Sequence, residues 1–382
     1  MKWCIVGHGA LASLWAHHLV AAGESVTIIT RAVGHAAHAD NHNLTAGKTC
    51  PTNNATAGHA AHADNHNAAA GVGQAKPDVN HRPAAGETCP TNNATAGHAA
   101  HADNHNLTAG ETCPTVFTLQ HGDDLHTRDI ATIAWPQLGH EHLHWSHILI
   151  MVKAWQLEGV IAELANHLQR SDAKPTAIIL SHNGLGAAEK VLQAQADWPL
   201  YDLVTTHGAW RKTPYHVVHA GSGQSYIGPR QQPQAAGCDS PPVWFPALAN
   251  ALPPTSWAAD ILIRRWHKLA INCAINPLAS IAGETNGVLK DPRYRGEIEA
   301  ICGEISRLAD IVLGRGVLDT EDLVAKVYQV IEATAENTCS MLQDMQNGHG
   351  TDIEYLNGYI VRLGAEFGIP TPVNQRMAEA LA

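Results

Sequence analysis

The chain has 382 residues and a formal net charge of −11, so it is long enough for two or more domains with cores of their own. The acidic balance argues against broad binding to a nucleic-acid backbone, and no apolar run reaches the roughly 18 residues of a transmembrane helix. The eight cysteines include no Cys-x-x-Cys pair, and we find no export signal, so we expect a reduced, cytoplasmic protein.

The first thirty residues predict a strand, a glycine-containing turn, a helix and a second strand. The strands span Trp3 to Val6 and Ser25 to Thr30, and the helix spans Ala10 to Ala22. The turn has the pattern G-x-G-x-x-A and consists of Gly7, His8, Gly9, Ala10, Leu11 and Ala12. In this βαβ context the pattern is typical of a dinucleotide-binding fold.

Each small residue of the turn has a physical role in binding a pyrophosphate. Gly7 allows the tight turn, Gly9 lets the backbone approach the phosphates, and Ala12 permits close packing of helix and strand. The N-terminus of the helix adds N–H groups and a positive dipole end. We therefore predict that the six turn residues bind the cofactor.

Arg31 follows the second strand, where NAD-binding proteins usually carry an acidic residue for the ribose 2′-hydroxyl. A guanidinium suits a 2′-phosphate instead, because it is bidentate and opposite in charge. The sequence therefore favours NADP over NAD. The alternative is that Arg31 is a solvated surface residue.

A repetitive segment follows, from about residue 34 to residue 115. The decapeptide GHAAHADNHN starts at Gly34, Gly58 and Gly97, and TCPT closes the array at Thr112. Because the segment has almost no large apolar residue, we predict a flexible or weakly structured insertion without a core. Its histidines leave adventitious binding of Zn²⁺ or Ni²⁺ as an alternative, but we predict no resident metal.

The α/β pattern resumes beyond the repeat. HILIMV, TAIIL and YDLVTTHGAW predict strands, and AWQLEGVIAELANHLQ has helical spacing. YHVVHAGSGQSYIG predicts a hairpin around Gly221–Ser222–Gly223. Lys153 and Asn183 stand at the carboxyl ends of two strands, where the ligand crevice of a doubly wound sheet lies.

The apolar spacing becomes almost wholly helical from about residue 260. Predicted helical segments lie near 260–282, 292–315, 320–346, 352–367 and 373–381. We therefore predict an α/β Rossmann-type domain at 1–258, doubly wound with a mostly parallel sheet, and an all-α domain at 259–382. The insertion at 34–115 belongs to the first domain, after its second strand.

A polar stripe interrupts the first of these helices, WHKLAINCAINPLASIAG. Lys268, Asn272 and Asn276 recur every four residues, and each such step turns an α-helix by about 400°, so the three share one face. Burying an ammonium and two carboxamides is costly unless they find partners. The residues alone leave open that Asn276 merely precedes a kink at Pro277 and that Lys268 extends to solvent.

Several stretches together resemble the ketopantoate reductase (2-dehydropantoate 2-reductase) family. They are GHGALASLW, VKAWQ, SHNGLG, WHKLAINCAINPL, ATAENTCSMLQD and TDIEYLNG, and they occur in the family's order. The resemblance implies NADPH-dependent reduction of 2-dehydropantoate to pantoate, in pantothenate and coenzyme A biosynthesis. It also implies that hydride passes from nicotinamide C4 to the ketone and that Lys268 is the catalytic residue that donates the proton.

The resemblance extends to single positions. It implies that the substrate is bound by Asn183, Asn272, Asn276, Asn286 and Ser340. It implies further cofactor contacts at Lys153, Asn183, Ala209 and Asp352. The family usually has Glu before Asp in the last motif, whereas this chain has Asp352 before Glu354, so either acid is a candidate for the cofactor contact.

Two other functions remain open. One is an NADPH-dependent reductase of the same fold that acts on another branched 2-oxo acid. The other is a catalytically inactive cofactor- or metal-binding protein that uses the histidine repeats, although the intact polar stripe argues against it. Besides a small-molecule substrate we expect no nucleic-acid or membrane partner, and either a monomer or a homodimer.

Overall fold

The computed structural model describes residues 1–30, 113–139, 144–171, 174–230 and 240–382. Arg31 and the repeat up to residue 112 lie outside the described residues, so the predictions about them stay predictions.

The described residues form one eleven-stranded sheet. Its strands are β1 (Lys2–Val6), β2 (Ser25–Thr30), β3 (Cys113–His121), β4 (Asp124–Ala134), β5 (His147–Ile150), β6 (Ala177–Leu180), β7 (Leu200–Thr205), β8 (Gly208–Thr213), β9 (His216–Gly221), β10 (Ser225–Pro229) and β11 (Thr255–Trp257). Their order is β11-β10-β7-β6-β5-β1-β2-β4-β3-β9-β8. Seven of the ten pairings are parallel, and the antiparallel ones are β3–β4, β7–β10 and β8–β9. The prediction of a mostly parallel sheet is confirmed.

Ten α-helices lie in the described ranges. They are α1 (Ala10–Ala21), α2 (Leu157–Ser171), α3 (Glu189–Gln193), α4 (Phe245–Ala251), α5 (Ile261–Ala282), α6 (Arg295–Val312), α7 (Thr320–Ala333), α8 (Ser340–Gln346), α9 (Asn357–Phe367) and α10 (Pro372–Ala380). None of these described helices combines the length and the apolar character needed to cross a membrane.

Helices cover both faces of the central strands. Trp3 and Ile5 of β1 pack on one face with α1 and α4, whereas Cys4 and Val6 pack on the other face with α2. β5 and β6 are buried along their whole length, as strands covered on both sides must be. The predicted doubly wound arrangement is therefore confirmed.

The C-terminal helices enclose a core of their own, in which the apolar side of α5 packs against α6 and α7. The boundary predicted near residue 258 falls between the end of β11 and the start of α5. One predicted helix, near 320–346, is wrong because α7 and α8 are separate. The Sγ of Cys339 accepts a hydrogen bond of 3.4 Å from the backbone N–H of Leu342, which caps the start of α8.

The predicted hairpin around Gly221–Ser222–Gly223 is wrong. β9 pairs with β3 and β8, whereas β10 pairs with β7 and β11, near the opposite edge of the sheet. YDLVTTHGAW is not one strand, because it breaks at Thr206–His207 into β7 and β8. β8 and β9 form the hairpin instead, since only Pro214 and Tyr215 separate them and a two-residue connection favours antiparallel pairing.

The closing TCPT of the repeat lies partly in the sheet. β3 begins at Cys113 and pairs with β4, and the Oγ1 atoms of Thr115 and Thr132 are 2.9 Å apart. The insertion predicted at 34–115 therefore ends inside a strand rather than before one. The repeat pattern did not indicate this, because residues of the closing TCPT, such as Thr115, belong both to the repeat and to β3.

Candidate active site

The glycine-containing turn between β1 and α1 has room for a ligand at one glycine only. Gly7 has a φ of +122°, and a Cβ built on it would lie 2.3 Å from the carbonyl oxygen of Met151, so the fold itself requires glycine. A Cβ on Gly9, at the start of α1, would meet no heavy atom within 4 Å. Ala12 is buried against the sheet. The open side of Gly9 faces the helix N-terminus, where a phosphate is favoured.

The other turn residues are partly buried, and they are His8, Ala10 and Leu11. The ring of His8 lies 5.6 Å from that of Phe117 and 5.2 Å from that of Tyr215. Burial and the nearby Arg211 lower the pKa of His8 to about 4, so its ring is neutral. Arg211, on β8, donates from Nη1 to the carbonyl oxygen of His8 at 2.8 Å. Sequence reasoning missed this exposed cation beside the turn.

Lys268 is held against the end of β7. Its Nζ donates a hydrogen bond of 3.0 Å to the carbonyl oxygen of Thr205. Burial lowers the pKa of Lys268 to about 8, with Asp352 opposing that shift and Arg265 adding to it. An ammonium with this pKa is protonated near neutral pH and releases its proton readily, as a general acid must.

Asn272 and Asn276 follow Lys268 along α5. Asn272 is partly buried and Asn276 is buried, yet neither carboxamide makes a hydrogen bond to any described residue. Neither contributes one of the fully enclosed, unsatisfied polar atoms of the described chain. A carboxamide offers both donors and acceptors, so the pair can bind a carboxylate or a hydroxyl group.

Asp352 is the buried acid of the site. Its Oδ2 accepts a hydrogen bond of 3.1 Å from the Nδ2 of Asn183, and its Oδ1 accepts a longer one of 3.4 Å from the backbone N–H of Ala154. Burial raises the pKa of this carboxyl, whereas Lys153 and the bond from Asn183 lower it. Asp352 thus joins two segments of the sheet domain to the segment before α9.

Glu354, the other acid of the same motif, lies elsewhere. It is exposed, and its carboxylate pairs with Arg362 of α9 at 3.1 Å. A Cβ on Gly358 would lie 3.0 Å from the same carboxylate, so the side chain of Glu354 packs against the first turn of α9. Of the two acids, only Asp352 reaches Asn183 and acts on Lys268.

Lys153 is paired with a carboxylate in this structure. Its Nζ lies 2.5 Å from the Oδ2 of Asp344 on α8. Ser340, the first residue of α8, is exposed, and its hydroxyl group forms no hydrogen bond with a described residue. A phosphate that recruits Lys153 must therefore compete with Asp344.

Two further predicted contact residues are not brought together with Lys268 by any hydrogen bond. The Nδ2 of Asn286 donates to the Oγ1 of Thr334 at 2.9 Å, while its Oδ1 is enclosed without a partner in the described chain. Ala209, on β8, is partly buried against the core that contains α1. The structure thus links Lys268, Asp352 and Asn183 electrostatically and by hydrogen bonding, whereas Asn286 and Ala209 have other partners.

A buried ion-pair network beside Lys268 was missed by sequence reasoning. Arg265, one turn earlier on α5, donates from Nη1 to the Oδ2 of Asp202 at 3.1 Å, and Arg230 donates to the other oxygen at 2.8 Å. Burial favours the neutral form of Asp202, but the two guanidiniums hold its pKa below the usual range. The available signal was the spacing of Arg265 and Lys268, which places them on one face of a helix.

A small recess joins Arg265 to Lys268. Its lining consists of His182, Gly184, Val204, Arg265, Lys268 and Leu269. Arg265 also donates to the carbonyl oxygen of Gly184 at 3.0 Å, and burial, together with Arg265, lowers the pKa of His182 to about 3. The lining therefore carries the ammonium of Lys268, the guanidinium of Arg265, which is paired with Asp202, and a neutral imidazole.

Two family models match the chain. Ketopantoate reductase PanE/ApbA matches residues 3–70 and 117–232, and Ketopantoate reductase PanE/ApbA C terminal matches residues 260–382. A 2-dehydropantoate 2-reductase of Vibrio cholerae serotype O1 is 39% identical over 241 residues, which are 63% of this chain and 77% of that protein. This chain belongs to the ketopantoate reductase family. The family resemblance of the sequence motifs is thereby confirmed.

Solved structures show the same fold at lower identity. A ketopantoate reductase family member from Ralstonia eutropha JMP134 is 19% identical with a TM-score of 0.66, and the match covers 100% of this chain and 97% of that one. The ternary structure of D-mandelate dehydrogenase with NADH and anilino(oxo)acetate is 18% identical with a TM-score of 0.70, and covers the same shares. The fold of the ketopantoate reductase family therefore extends to a dehydrogenase of another name.

Proposed function

We propose that this member of the ketopantoate reductase family reduces 2-dehydropantoate to pantoate with NADPH. The observation that carries the proposal is the face of α5, where Lys268 has a lowered pKa and is followed by the unpartnered carboxamides of Asn272 and Asn276. One acid and two amides suit a substrate with a ketone, a carboxylate and a hydroxyl group.

The dinucleotide turn fits the cofactor. The space beside Gly9 accepts a pyrophosphate, and Arg211 adds a positive charge to the turn. Arg31 lies outside the described residues, and its role in binding the 2′-phosphate stays a prediction. We assign the remaining cofactor contacts to Lys153, Asn183, Ala209 and Asp352.

NADPH supplies a hydride from nicotinamide C4 to the ketone carbon. Lys268 stabilises the charge that develops on the ketone oxygen and transfers a proton from Nζ to it. The carbonyl oxygen of Thr205 holds this ammonium at 3.0 Å before reaction. Arg265 keeps the adjoining recess positive, which attracts the carboxylate of the substrate.

Asp352 acts on Lys268 through its charge and not through a hydrogen bond. Its carboxylate raises the pKa of Lys268 against the effect of burial, so more of the lysine is protonated near neutral pH. Asn183, three residues after the end of β6, donates a hydrogen bond to that carboxylate. We propose that Asn183 contacts both cofactor and substrate, and that Asn286 and Ser340 contact the substrate.

The decisive experiment is a steady-state absorbance assay of NADPH oxidation with 2-dehydropantoate, run beside a series of other 2-oxo acids. We expect the highest kcat/KM for 2-dehydropantoate. A higher value for an aryl or another branched 2-oxo acid would favour the related reductase. If no 2-oxo acid supports NADPH oxidation while NADPH still binds, the chain is a binding protein and the proposal is wrong.

We further propose that the protein acts in the cytoplasm, as a monomer or a homodimer. A ketopantoate reductase from Staphylococcus aureus with the same fold, 15% identical with a TM-score of 0.61, is dimeric. Sedimentation of the purified chain, with and without NADPH, decides between the two states.

A further inference from the structure

The turn that holds Lys268 has a fixed position. Thr205, whose carbonyl oxygen accepts from Lys268, ends β7, and Thr206–His207 links it to β8. Gly223 packs directly on this link, since a Cβ there would lie 2.3 Å from the carbonyl carbon of Thr206 and 2.4 Å from the nitrogen of His207. The Oγ of Ser225 also donates to the Oγ1 of Thr205 at 2.9 Å. The position of the Thr205 carbonyl therefore depends on the contacts that fix this turn.

The ring of His207 fixes the turn through a hydrogen bond to Gly223. Its Nδ1 accepts a hydrogen bond of 3.1 Å from the backbone N–H of Gly223, and a backbone N–H can only donate. The Nδ1 is therefore unprotonated, and the Nε2 of His219, 3.1 Å away, carries the hydrogen between them. In the neutral ring of His219 the Nδ1 is then an acceptor, and the Nδ1 of His121, 3.3 Å away, donates to it. Geometry thus fixes the tautomers of three successive histidines.

This histidine chain runs from the surface to the turn. His121 is exposed on β3, whereas His219 and His207 retain 7% and 6% of their exposure. The ring of His18 on α1 lies 6.2 Å from that of His219. Burial, the two buried histidines and Arg128 of β4 lower the pKa of His18 to about 4. No trio of His, Cys, Asp or Glu among the described residues is arranged to hold a metal ion. The three rings are connected to one another and to Gly223 by hydrogen bonds.

We propose that His207 is a positioning residue for Lys268, and that the neutral histidine chain keeps the Thr205 carbonyl where it holds the ammonium. A proton on the Nδ1 of His207 or of His219 replaces an acceptor with a donor and breaks the tie to Gly223 or to His121. Burial lowers the pKa of His207 and of His219, which favours the neutral form of these two rings. The proposal rests on the proposed reductase function for its kinetic consequence.

The test compares His207→Asn with His207→Ala. The Oδ1 of asparagine can accept from Gly223 where Nδ1 does, whereas alanine offers no acceptor. Because a displacement of about 1 Å can cost on the order of 100-fold, we expect His207→Ala to lower kcat roughly 10- to 100-fold, with the KM for NADPH nearly unchanged. His207→Asn should recover most of that loss. Equal activity of the alanine variant and the wild type, or equal impairment of both variants, overturns the proposal.

A second pair of variants, at His219, and a second measurement, the pKa of Lys268, make the test independent of folding and of the substrate. His219→Gln retains a donor toward His207, whereas His219→Leu does not, so only the leucine variant should mimic His207→Ala. The pKa of Lys268, measured by NMR after ¹³C-methylation of the lysines and assigned with Lys268→Arg, should move in His207→Ala and stay in His207→Asn. If wild type shows no turnover, the proposed function fails, but this pKa comparison still decides the positioning role. An unmoved pKa in every folded variant overturns it.

Discussion

Asn183 and Asp352 are 169 residues apart in the chain and are joined by a hydrogen bond of 3.1 Å from Nδ2 to Oδ2. The same carboxylate opposes the lowering of the Lys268 pKa. We therefore predict that Asp352→Asn lowers the pKa of Lys268 below about 8 and moves the alkaline limb of the kcat profile to lower pH. Glu332→Gln, a change at an exposed residue in the last turn of α7, is the control and should leave the profile in place. An unmoved limb in Asp352→Asn would remove Asp352 from the account of Lys268.

Lys268→Ala should lower kcat by roughly 10²–10⁴-fold, the usual worth of a positioned general acid. The affinity for NADPH should change little, because the turn residues lie elsewhere. Lys290→Ala removes a lysine that pairs with Glu332 on the surface, so it controls for the loss of one positive charge. Turnover by Lys268→Ala close to that of wild type would show that another group donates the proton.

The pH dependence follows from the protonated state that each direction needs. Reduction of the ketone requires the ammonium form of Lys268, so kcat should fall as pH rises through about 8. Oxidation of the alcohol requires the neutral amine, so its rate should rise through the same pH. Both profiles can be measured with one enzyme preparation. A forward rate that is level across this range contradicts Lys268 as the titrating acid.

Gly7→Ala should lower the stability of the fold, whereas Gly9→Ala should weaken the binding of NADPH. Alanine at 7 meets the Met151 carbonyl oxygen at 2.3 Å and sits at a positive φ, so the melting temperature should fall. Alanine at 9 meets nothing within 4 Å, so the melting temperature should hold while the Kd for NADPH rises about tenfold, or roughly 1.4 kcal/mol. Thermal melts and fluorescence titrations measure both. Unchanged NADPH binding by Gly9→Ala would place the pyrophosphate elsewhere.

Arg31→Asp should shift cofactor preference from NADPH toward NADH. The change removes a bidentate partner of the 2′-phosphate and adds repulsion against it. The measurement is the ratio of kcat/KM for the two cofactors, with Arg293→Asp, an exposed arginine after α5, as the control. A constant ratio would mean that Arg31 does not recognise the phosphate.

Local patterns in the sequence predicted local structure well. The bounds of β2 are those expected, and the four-residue spacing of the polar stripe needs only the geometry of one helix. Strand partners and long-range ion pairs depend on which segments meet in space. That is why the hairpin prediction was wrong, and why the Arg265–Asp202 pair, 63 residues apart, was missed. Asp352 entered through the family resemblance, since spacing alone does not distinguish it from Glu354.

Among the described residues, two ion pairs connect the C-terminal helices to the sheet domain, and they differ in solvent exposure. Arg265 and Asp202 are only 7% and 4% exposed, whereas Lys153, paired with Asp344, is 35% exposed. Breaking a buried pair costs about 3–5 kcal/mol and a fully exposed pair is worth about 0–1 kcal/mol, and the Lys153–Asp344 pair lies between these limits because Asp344 is 13% exposed. We therefore expect the Lys153–Asp344 pair to break more easily than the Arg265–Asp202 pair. We expect the buried pair to hold the first turns of α5, which carry Lys268, against the end of β7.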